Sequence, residues 1–356
     1  MRILTALLRY DYGDPKRGES LEKSVLLPAI EENAEVYPFW LEDHGFPSNI
    51  EGLQAELFKA AEHVDPDLIF FILMKDEVRP ATLAKLSTRW ATANWFADDQ
   101  WRFESFTRHV APLLTYSITV DKFCLPKYQS IGCKRVIYSQ WASSWEPFEG
   151  KPEDYAYDVS FIGGRNSVRE WYIHQLMKSG ILVQCFGAGW PAGRVTFEEM
   201  RKIVRYSKIS LNLSNSQPSD SAYFIYSIFR FFRAIIGREK RGNSYFVSIR
   251  RALSGIWNFL RSEKRVEQIK ARNFEIPAWG GFQISQFALG IEDYFVPGKE
   301  IVLFSSPHEL ATLVSYFLVN ENERETIRGA GNARASEHTY AHRFASIIKE
   351  IETDKG

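Results

Sequence analysis

The feature that most constrains the fold is a regular alternation of short apolar runs with amphipathic helical segments. The run Leu68–Met74 is almost wholly apolar, as expected of a strand buried on both faces of a parallel sheet. Before residue 140, further strands are predicted at Ile3–Leu8, Glu35–Trp40, Ala91–Phe96, Leu113–Val120 and Arg135–Tyr138, with helices such as Leu21–Glu32 and Gly52–His63 between them. This order of elements predicts a doubly wound α/β domain.

A second set of alternating elements follows an interruption at Gln140–Tyr157. That segment is rich in Trp, Pro and Gly and has no periodicity, so we place a domain boundary within it. Beyond it, strands are predicted at Asp158–Ile162, Leu182–Phe186, Ile209–Leu213, Phe282–Ser285 and Glu300–Phe304. A chain of 356 residues is also longer than one hydrophobic core usually serves. The sequence therefore predicts two Rossmann-like domains, 1–145 and 146–336, followed by a last helix in 337–356.

Charge and residue counts exclude several classes of function. The 44 basic and 44 acidic residues balance, so no overall field favours nucleic acid as a partner. Three cysteines at irregular spacing offer neither a disulfide framework nor a zinc site, which favours a reduced, cytoplasmic setting. The seven histidines lack ligand spacing, and we expect no metal cofactor. No apolar stretch reaches the roughly 18 to 20 residues that a transmembrane helix needs.

In each of the two predicted domains, a glycine-containing loop follows the first strand. Ligands of open α/β sheets bind beyond the carboxyl ends of the strands, where helix N-termini favour phosphates. The first loop contains Gly18, and its alternative interpretation is an ordinary connection. The second runs through Gly163, Gly164, Arg165 and Arg169, and its paired glycines and guanidinium groups suit a pyrophosphate. Arg169 could equally be a solvated helix residue.

The segment 270–281 is a further candidate site, predicted as a helix that ends in two glycines. Lys270 would lie near its start, and Glu267 and Glu275 would lie two turns apart near one face. A carboxylate beside a phosphate site suits a pair of ribose hydroxyls, because an ionised acid only accepts hydrogen bonds. Gly280–Gly281 would allow a tight turn into the next strand. The alternative is a charged surface helix capped by glycine.

Two adjacent carboxylates, Asp98 and Asp99, follow the predicted strand Ala91–Phe96. One of them could be a general base for an acceptor hydroxyl, since it would lie at the carboxyl edge of the first sheet. The alternative is that Asp99 caps the following helix.

The segment 221–265 differs from the rest of the chain in charge. It carries ten basic and two acidic residues, a net charge of 10 − 2 = +8. Residues 221–237 are largely apolar, with a narrow polar stripe through Ser227, Arg230, Arg233 and Gly237, and Tyr245–Leu260 is a second such stretch. Such helices suit the interface of an anionic membrane, and a lipid-linked acceptor would explain one. The alternative is a buried lid or an oligomer contact.

Several motifs together resemble a known family. They are Ile269–Phe282, Tyr294–Phe304 and His338–Arg343 in the second half, and Tyr12–Ser20, Trp95–Phe103 and Ser139–Ala142 in the first. In these the chain resembles the CgeB-like bacterial glycosyltransferases, whose C-terminal half is a glycosyl transferases group 1 type domain. The resemblance implies the GT-B fold, with two Rossmann-like domains facing across a cleft and the last helix, 337–356, packing back on the first domain. The basic insertion, 217–265, lies outside the resemblance.

The resemblance also implies an activity and its partners. The implied activity is metal-independent transfer of a sugar from a nucleotide-sugar donor to an acceptor. The second domain would bind the donor, and the acceptor, which would be a saccharide, a lipid-linked saccharide or a protein, would lie toward the first domain. Such a transfer would serve a bacterial surface glycan, a lipid-linked saccharide or protein glycosylation. Two other functions remain open on this fold: a sugar-nucleotide epimerase, and a binding or assembly protein without turnover.

The related transferases carry two donor-site acids eight residues apart. Glu275 matches the second acid, which binds ribose, and Glu267 falls at the first. Arg165 matches a phosphate contact, and Lys270 or Arg272 would supply the other basic group. Gln268–Lys270 replaces the usual Gly-Phe-Gly, so neither the role of Glu267 nor retention at the anomeric carbon is fixed. The predicted catalytic residues are Asp98, Asp99 and Glu267, and the predicted donor-binding residues are Gly18, Gly163, Gly164, Arg165, Lys270, Arg272, Glu275, Gly280 and Gly281.

Overall fold

The computed structural model describes residues 1–213, 221–236, 264 and 266–355. The chain divides into two compact units. The first unit comprises Met1–Ser144 and His338–Gly356, and the second comprises Trp145–Glu337.

The first unit is built on a six-stranded sheet. Its strands are β1 (Arg2–Leu7), β2 (Glu35–Trp40), β3 (Leu68–Phe71), β4 (Ala91–Phe96), β5 (Tyr116–Thr119) and β6 (Val136–Tyr138). They lie in the order β2-β1-β3-β4-β5-β6, and every pairing is parallel. From β1 the chain adds β2 on one side of the sheet and then β3 to β6 on the other side. The topological switch point therefore lies between β1 and β3.

Helices connect these strands. The α-helices are α1 (Leu27–Glu31), α2 (Ile50–Val64), α3 (Pro80–Ser87), α4 (Asp99–Arg102), α5 (Arg108–Val110) and α6 (Leu125–Ser130), with π-helical turns at Glu22–Leu26 and Phe103–Thr107. Short 3-10 turns occur at Asp11–Gly13, Pro15–Arg17, Leu41–His44, Ala111–Leu113 and Lys122–Cys124.

The apolar run of β3 is buried because both faces of the sheet are covered. Successive side chains of a strand point to opposite faces. Ile69 and Phe71 accordingly belong to one core cluster, while Leu68 and Phe70 belong to the other. All four residues are buried, as their apolar character predicts.

The last helix, α13 (Tyr340–Lys355), completes the core of the first unit. The Phe344 ring meets the Phe70 ring edge to face, with centroids 5.6 Å apart. Tyr116 donates a hydrogen bond to Asp354 Oδ2 at 2.8 Å. This helix, the last in the chain, therefore covers one face of the sheet that the first residues begin.

The second unit has a five-stranded parallel sheet. Its strands are β7 (Tyr157–Ile162), β8 (Gln184–Phe186), β9 (Ser207–Asn212), β10 (Gln283–Gln286) and β11 (Val302–Phe304). Their order is β11-β10-β9-β7-β8, so the switch point lies between β7 and β9. The helices are α7 (Ser167–Lys178), α8 (Phe197–Arg205), α9 (Ser221–Ile236), α10 (Ala271–Ala278), α11 (Pro307–Val319) and α12 (Glu321–Ala335), with a 3-10 turn at Ile291–Asp293. The prediction of two doubly wound α/β units is confirmed.

The helix α9 is the described part of the predicted basic insertion. Tyr223 is fully buried and donates to Ser167 Oγ at 2.7 Å, and Ser227, also buried, donates to the Tyr223 carbonyl at 2.9 Å. Ser227, predicted on a polar stripe, therefore lies on the side of α9 that packs on the unit, whereas Ile225 and Phe229 are exposed. The second predicted stretch, Tyr245–Leu260, lies outside the described residues. Within the described part of the chain, no helix combines the length and apolar character needed to cross a membrane.

Candidate functional site

The loop after β7 lies at the switch point of the second sheet. Gly163 follows the strand, and its carbonyl accepts a hydrogen bond from Trp190 Nε1 at 2.9 Å. A Cβ on Gly163 would lie 2.8 Å from Phe161 Cζ and 3.2 Å from Arg169 Nη1, so a larger residue here would displace these side chains. A Cβ on Gly164 would meet only Arg169 Nη1, at 3.9 Å. Gly164 therefore has open space on its side-chain face.

Arg169 joins this loop to the end of β9. Its Nη1 donates to the Gly164 carbonyl at 2.7 Å, and its Nε donates to the Leu213 carbonyl at 3.2 Å. Burial and the nearby Arg272 lower the pKa of Arg169 to about 10, while Glu267 opposes the shift. The open alternative, a solvated helix residue, is wrong because two backbone carbonyls bind this guanidinium at the switch point.

Arg165 lies on the other side of the same loop. Its Nε pairs with Glu170, its Nη1 donates to the Gly189 carbonyl at 3.3 Å, and its guanidinium lies 5.2 Å from the centre of the Trp190 ring. The side chain of Asn166 caps α7 by accepting from the backbone N–H of Arg169 at 2.9 Å. Arg165 and the N-terminus of α7 therefore lie together at the carboxyl edge of the sheet.

Glu267 reaches this edge from the segment before α10. Its Oε1 accepts a hydrogen bond from Gln286 Nε2 at 3.0 Å, and the same amide donates to Tyr172 at 3.0 Å. The charge of Glu267 favours the protonated form of Arg169 and so partly offsets the lowering of its pKa. The sequence reasoning missed Gln286 and Tyr172; the available signal was that β10 carries polar residues, among them Gln286 at its end, although all four of its residues are buried.

The predicted helix that carries both Glu267 and Glu275 is wrong. The helix α10 begins at Ala271, and Lys270, with φ −129°, is its extended N-cap residue. Asn273 fixes this start by accepting from the backbone N–H of Lys270 at 2.9 Å. Glu267 therefore lies outside the helix, and the two acids are not related by helical periodicity.

Side-chain amides fix the N-terminal end of α10 over the strands. Asn273 Nδ2 donates to Ser285 Oγ at 3.0 Å, and Asn212 Nδ2 donates to the same oxygen at 3.1 Å. Asn212 ends β9 and Ser285 lies in β10, so the carboxyl ends of both strands hold the helix. This arrangement brings Lys270 and Arg272 toward the edge where Arg169 lies.

Arg272 and Glu275 form an ion pair on α10. Arg272 Nη1 lies 3.0 Å from Glu275 Oε2, and the two side chains are 21% and 7% exposed. Burial raises the pKa of Glu275, and Arg272 and Arg201 partly offset this shift. Arg272 also donates to Met200 Sδ of α8 at 3.4 Å. The two predicted donor-binding residues are therefore partners in one largely buried pair.

Gly280 and Gly281 are structural, which corrects their predicted role in donor binding. They follow the C-terminus of α10, whereas the carboxyl edge holds its N-terminus. Gly280 has φ +73°, and its carbonyl accepts from Arg328 Nε. A Cβ on Gly281 would overlap Val204 Cγ1 and lie 2.9 Å from Ile276 Cγ2. Both glycines therefore serve the turn into β10 and its packing.

Asp99 is likewise structural, which corrects its prediction as a catalytic residue. Its carboxylate is fully buried and accepts hydrogen bonds from Thr107 at 2.7 Å, Thr119 at 2.5 Å and Tyr128 at 2.7 Å. Burial raises the pKa of Asp99 to about 6, against the lowering effect of these hydroxyls. The predicted capping role is also wrong, since α4 begins at Asp99 and Asp98 is the N-cap residue.

The loop after β1 defines the corresponding edge of the first unit. Gly18, with φ +85°, accepts from the backbone N–H of Asp11 at 3.1 Å and so closes the loop. The Tyr12 side chain as a whole is 60% exposed, while partial burial, Asp11 and Asp98 raise the pKa of its hydroxyl group. Burial, followed by Asp11 and Glu42, raises the pKa of Glu22 to about 7. Sequence reasoning missed Tyr12 and Glu22, although both flank the glycine it selected.

The carboxylates, thiols and imidazoles of the described residues bear on metal binding. Among the residues that the structure describes, no group of three or more His, Cys, Asp or Glu is arranged to hold a metal ion. The expectation of metal-independent chemistry stays a prediction.

Comparisons with known proteins agree with this architecture. Residues 234–349 match the family described as "Glycosyl transferase-like". No curated protein matches the chain in sequence. Among solved structures, HepE from Anabaena in complex with UDP-glucose is 12% identical, with a TM-score of 0.56, and the match covers 99% of this chain and 100% of that chain. Sucrose-phosphate synthase from Thermosynechococcus elongatus is 12% identical, with a TM-score of 0.53 and coverage of 99% and 98%. The lipopolysaccharide outer core galactosyltransferase WaaB is 10% identical, with a TM-score of 0.53 and coverage of 99% and 100%.

The two parallel sheets and these neighbours define a protein of the GT-B fold, as predicted. Because a glycosyl transferase-like domain occupies residues 234–349 of a chain with this fold, the protein is a glycosyltransferase.

Proposed function

We propose that the second unit binds a nucleotide-sugar donor at the switch point between β7 and β9. The observation that carries the proposal is the convergence of Arg169, Arg272 and Glu267 at this edge, beside the N-terminus of α7. Two guanidinium groups and backbone N–H groups suit a diphosphate. HepE, a structural neighbour, is bound to UDP-glucose, which supports a nucleotide-sugar as the donor class.

The basic groups of this donor site would act on the leaving group. Negative charge builds on the nucleoside diphosphate as the bond to the sugar breaks, and fixed cations stabilise that charge without rearrangement. Arg165 and Lys270 are the further cations that we assign to the diphosphate. Glu275, which is ion-paired with Arg272, is assigned to the ribose hydroxyls. Glu267 is assigned to the transferred sugar, because it is less buried than Glu275.

The acceptor would bind at the carboxyl edge of the first unit. The exposed ring of Tyr12 offers a stacking surface, and the carboxyl groups of Asp98 and Glu22 offer hydrogen-bonding groups, which suit a hydroxylated substrate. We assign Asp98 as the general base that takes the proton of the acceptor hydroxyl. The acceptor is a saccharide, a lipid-linked saccharide or a protein, and the transfer needs no metal. The CgeB-like subtype, a cytoplasmic location and a role in a bacterial surface glycan are part of this proposal.

Nucleotide-sugar binding tests the donor site. Calorimetry with UDP-glucose and other nucleotide-sugars would compare the wild type with Arg165→Ala, and with Lys178→Ala as the matched control at the other end of α7. We expect Arg165→Ala to weaken binding by about tenfold, or about 1.4 kcal/mol, since one charge-assisted contact is lost. Lys178→Ala should bind as the wild type does. Equal affinity of the two variants would exclude Arg165 from the site.

Turnover separates the transferase from the two other functions. A transferase releases the nucleoside diphosphate, slowly to water and faster when an acceptor is present. Conversion of the donor to its epimer without release of the diphosphate would indicate an epimerase. Binding without turnover in any acceptor mixture would indicate a binding protein.

A further inference from the structure

The helix α9 presents an apolar stripe on the surface of the second unit. Ile225 is 51% exposed and Phe229 is 68% exposed, four residues further on, so they lie on the same side of the helix. Phe232, one turn beyond Phe229, is 52% exposed. The stripe is therefore made of large apolar side chains, which a soluble surface rarely groups together.

The opposite side of α9 is held by the second unit. Tyr223 packs on α7, with its ring centroid 5.5 Å from that of Trp171. The ring centroids of Tyr226 and His174 are 5.1 Å apart. With Ser227 also buried, this face is fixed to α7. The exposed stripe is therefore directed away from α7, and the packing on α7 uses other residues of the helix, Tyr223 and Tyr226.

The charge of this part of the chain identifies what the stripe fits. The segment 221–265 contains ten basic and two acidic residues. Because the chain as a whole is neutral, the remaining residues carry the compensating negative charge. Arg230 and Arg233 occur within α9 itself. Basic residues on or near an interfacial helix are attracted to anionic headgroups, whereas its apolar residues enter the acyl boundary.

We propose that α9 binds the surface of an anionic lipid bilayer, with Ile225 and Phe229 inserted into the interface. The helix is oriented by Tyr223 and Ser227, so it would lie along the membrane and carry the second unit with it. A membrane-bound second unit would meet lipid-linked acceptors at high local concentration. The binding itself does not depend on the donor site proposed above.

Vesicle flotation of the full chain tests this proposal. Vesicles of phosphatidylcholine alone are compared with vesicles that also contain phosphatidylglycerol. The double variant Ile225→Asp/Phe229→Asp removes the stripe, and Val319→Asp, at another exposed apolar residue of the second unit, is the matched control. We expect the wild type and the control to float with anionic vesicles and not with neutral ones. The double variant should lose at least tenfold in bound fraction, with an unchanged circular dichroism spectrum.

Three outcomes would overturn the proposal. The first is that the wild type floats with neither kind of vesicle, and the second is that the double variant floats as well as the wild type. In the third outcome, the wild type is a dimer that the double variant converts to a monomer, without lipid binding, so a second copy of the chain covers the stripe. UDP-glucose binding measured on the same preparations distinguishes a failure of this proposal from a failure of the donor site.

Discussion

Arg272 and Glu275 are ion-paired one turn apart on α10, with 3.0 Å between Nη1 and Oε2. Burial raises the pKa of the Glu275 carboxyl, and the positive charge of Arg272 opposes this effect by stabilising the ionised form. Removal of the cation would leave a buried carboxylate without its partner, which is costlier than removal of both groups.

We therefore predict that Arg272→Met destabilises the protein in a pH-dependent way. The loss at pH 8 should be about 3 kcal/mol, as for other broken buried pairs. In the variant the pKa of Glu275 rises further, so the folded state binds a proton that the unfolded state lacks, and the loss shrinks as the pH falls toward 5. Urea unfolding at both pH values measures this. The double variant Arg272→Met/Glu275→Gln should recover most of the stability; an equal loss at both pH values would contradict the argument.

Asp99 should make the first unit less stable as the pH rises. Its pKa is raised from 3.8 to about 6 in the folded state, so its ionisation opposes folding by about 3 kcal/mol between pH 4 and pH 7. Asp99→Asn removes this contribution. Relative to the wild type, the variant should therefore gain about 3 kcal/mol in unfolding free energy over this pH range. A constant difference between the two proteins would show that the carboxyl does not titrate in this window.

Asp98 and Asp99 should differ in their effect on turnover. Asp98 is only half-buried and directly precedes α4, whereas Asp99 is enclosed by three hydroxyl groups. We expect Asp98→Asn to lower kcat for sugar transfer by about a hundredfold or more, the usual effect of losing a general base. Asp99→Asn should retain transfer at temperatures where it is folded. The prediction fails if the two variants lose activity equally while both stay folded.

Gly281→Ala should destabilise the second unit by about 2 kcal/mol, because the new methyl group overpacks the core. It would overlap Val204 Cγ1 and approach Ile276 Cγ2 to 2.9 Å. Gly164→Ala is the matched control, since its methyl group would contact only Arg169 at 3.9 Å. Thermal unfolding should show a lower Tm for Gly281→Ala alone. At 10 °C, the folded Gly281 variant should bind nucleotide-sugar with unchanged affinity.

The strands could be predicted because burial on both faces leaves a direct mark in the sequence. The segment Ala91–Phe96, which is buried almost throughout, was predicted with the bounds that β4 has. The segment Glu35–Trp40 was also predicted with the bounds of β2, although this edge strand is only partly buried. The start of α10 could not be predicted from periodicity, because Asn273 sets it through a local hydrogen bond to the Lys270 backbone. Charged residues before that point looked helical from spacing alone.

The roles of adjacent acids are also beyond sequence reasoning. Asp98 and Asp99 have the same chemistry, and only the start of α4 decides which one turns inward. Thr107, Thr119 and Tyr128, which enclose Asp99, come from three separate segments of the chain. A constellation of that kind becomes visible only when the sheet has brought its members together.

The first unit is made of two separate chain segments, Met1–Ser144 and His338–Gly356. The backbone bridge between Ser143 and Thr339 joins the end of one segment to the start of the other. During synthesis, one face of the first sheet must therefore wait for α13 until all of the second unit has left the ribosome. Nascent domains otherwise tend to fold in order of appearance. Here the second unit can finish before the first, whose uncovered apolar face around Phe70 is the surface that a chaperone would have to protect. A frameshift or stop codon just before Tyr340 would thus disable the unit that begins the chain.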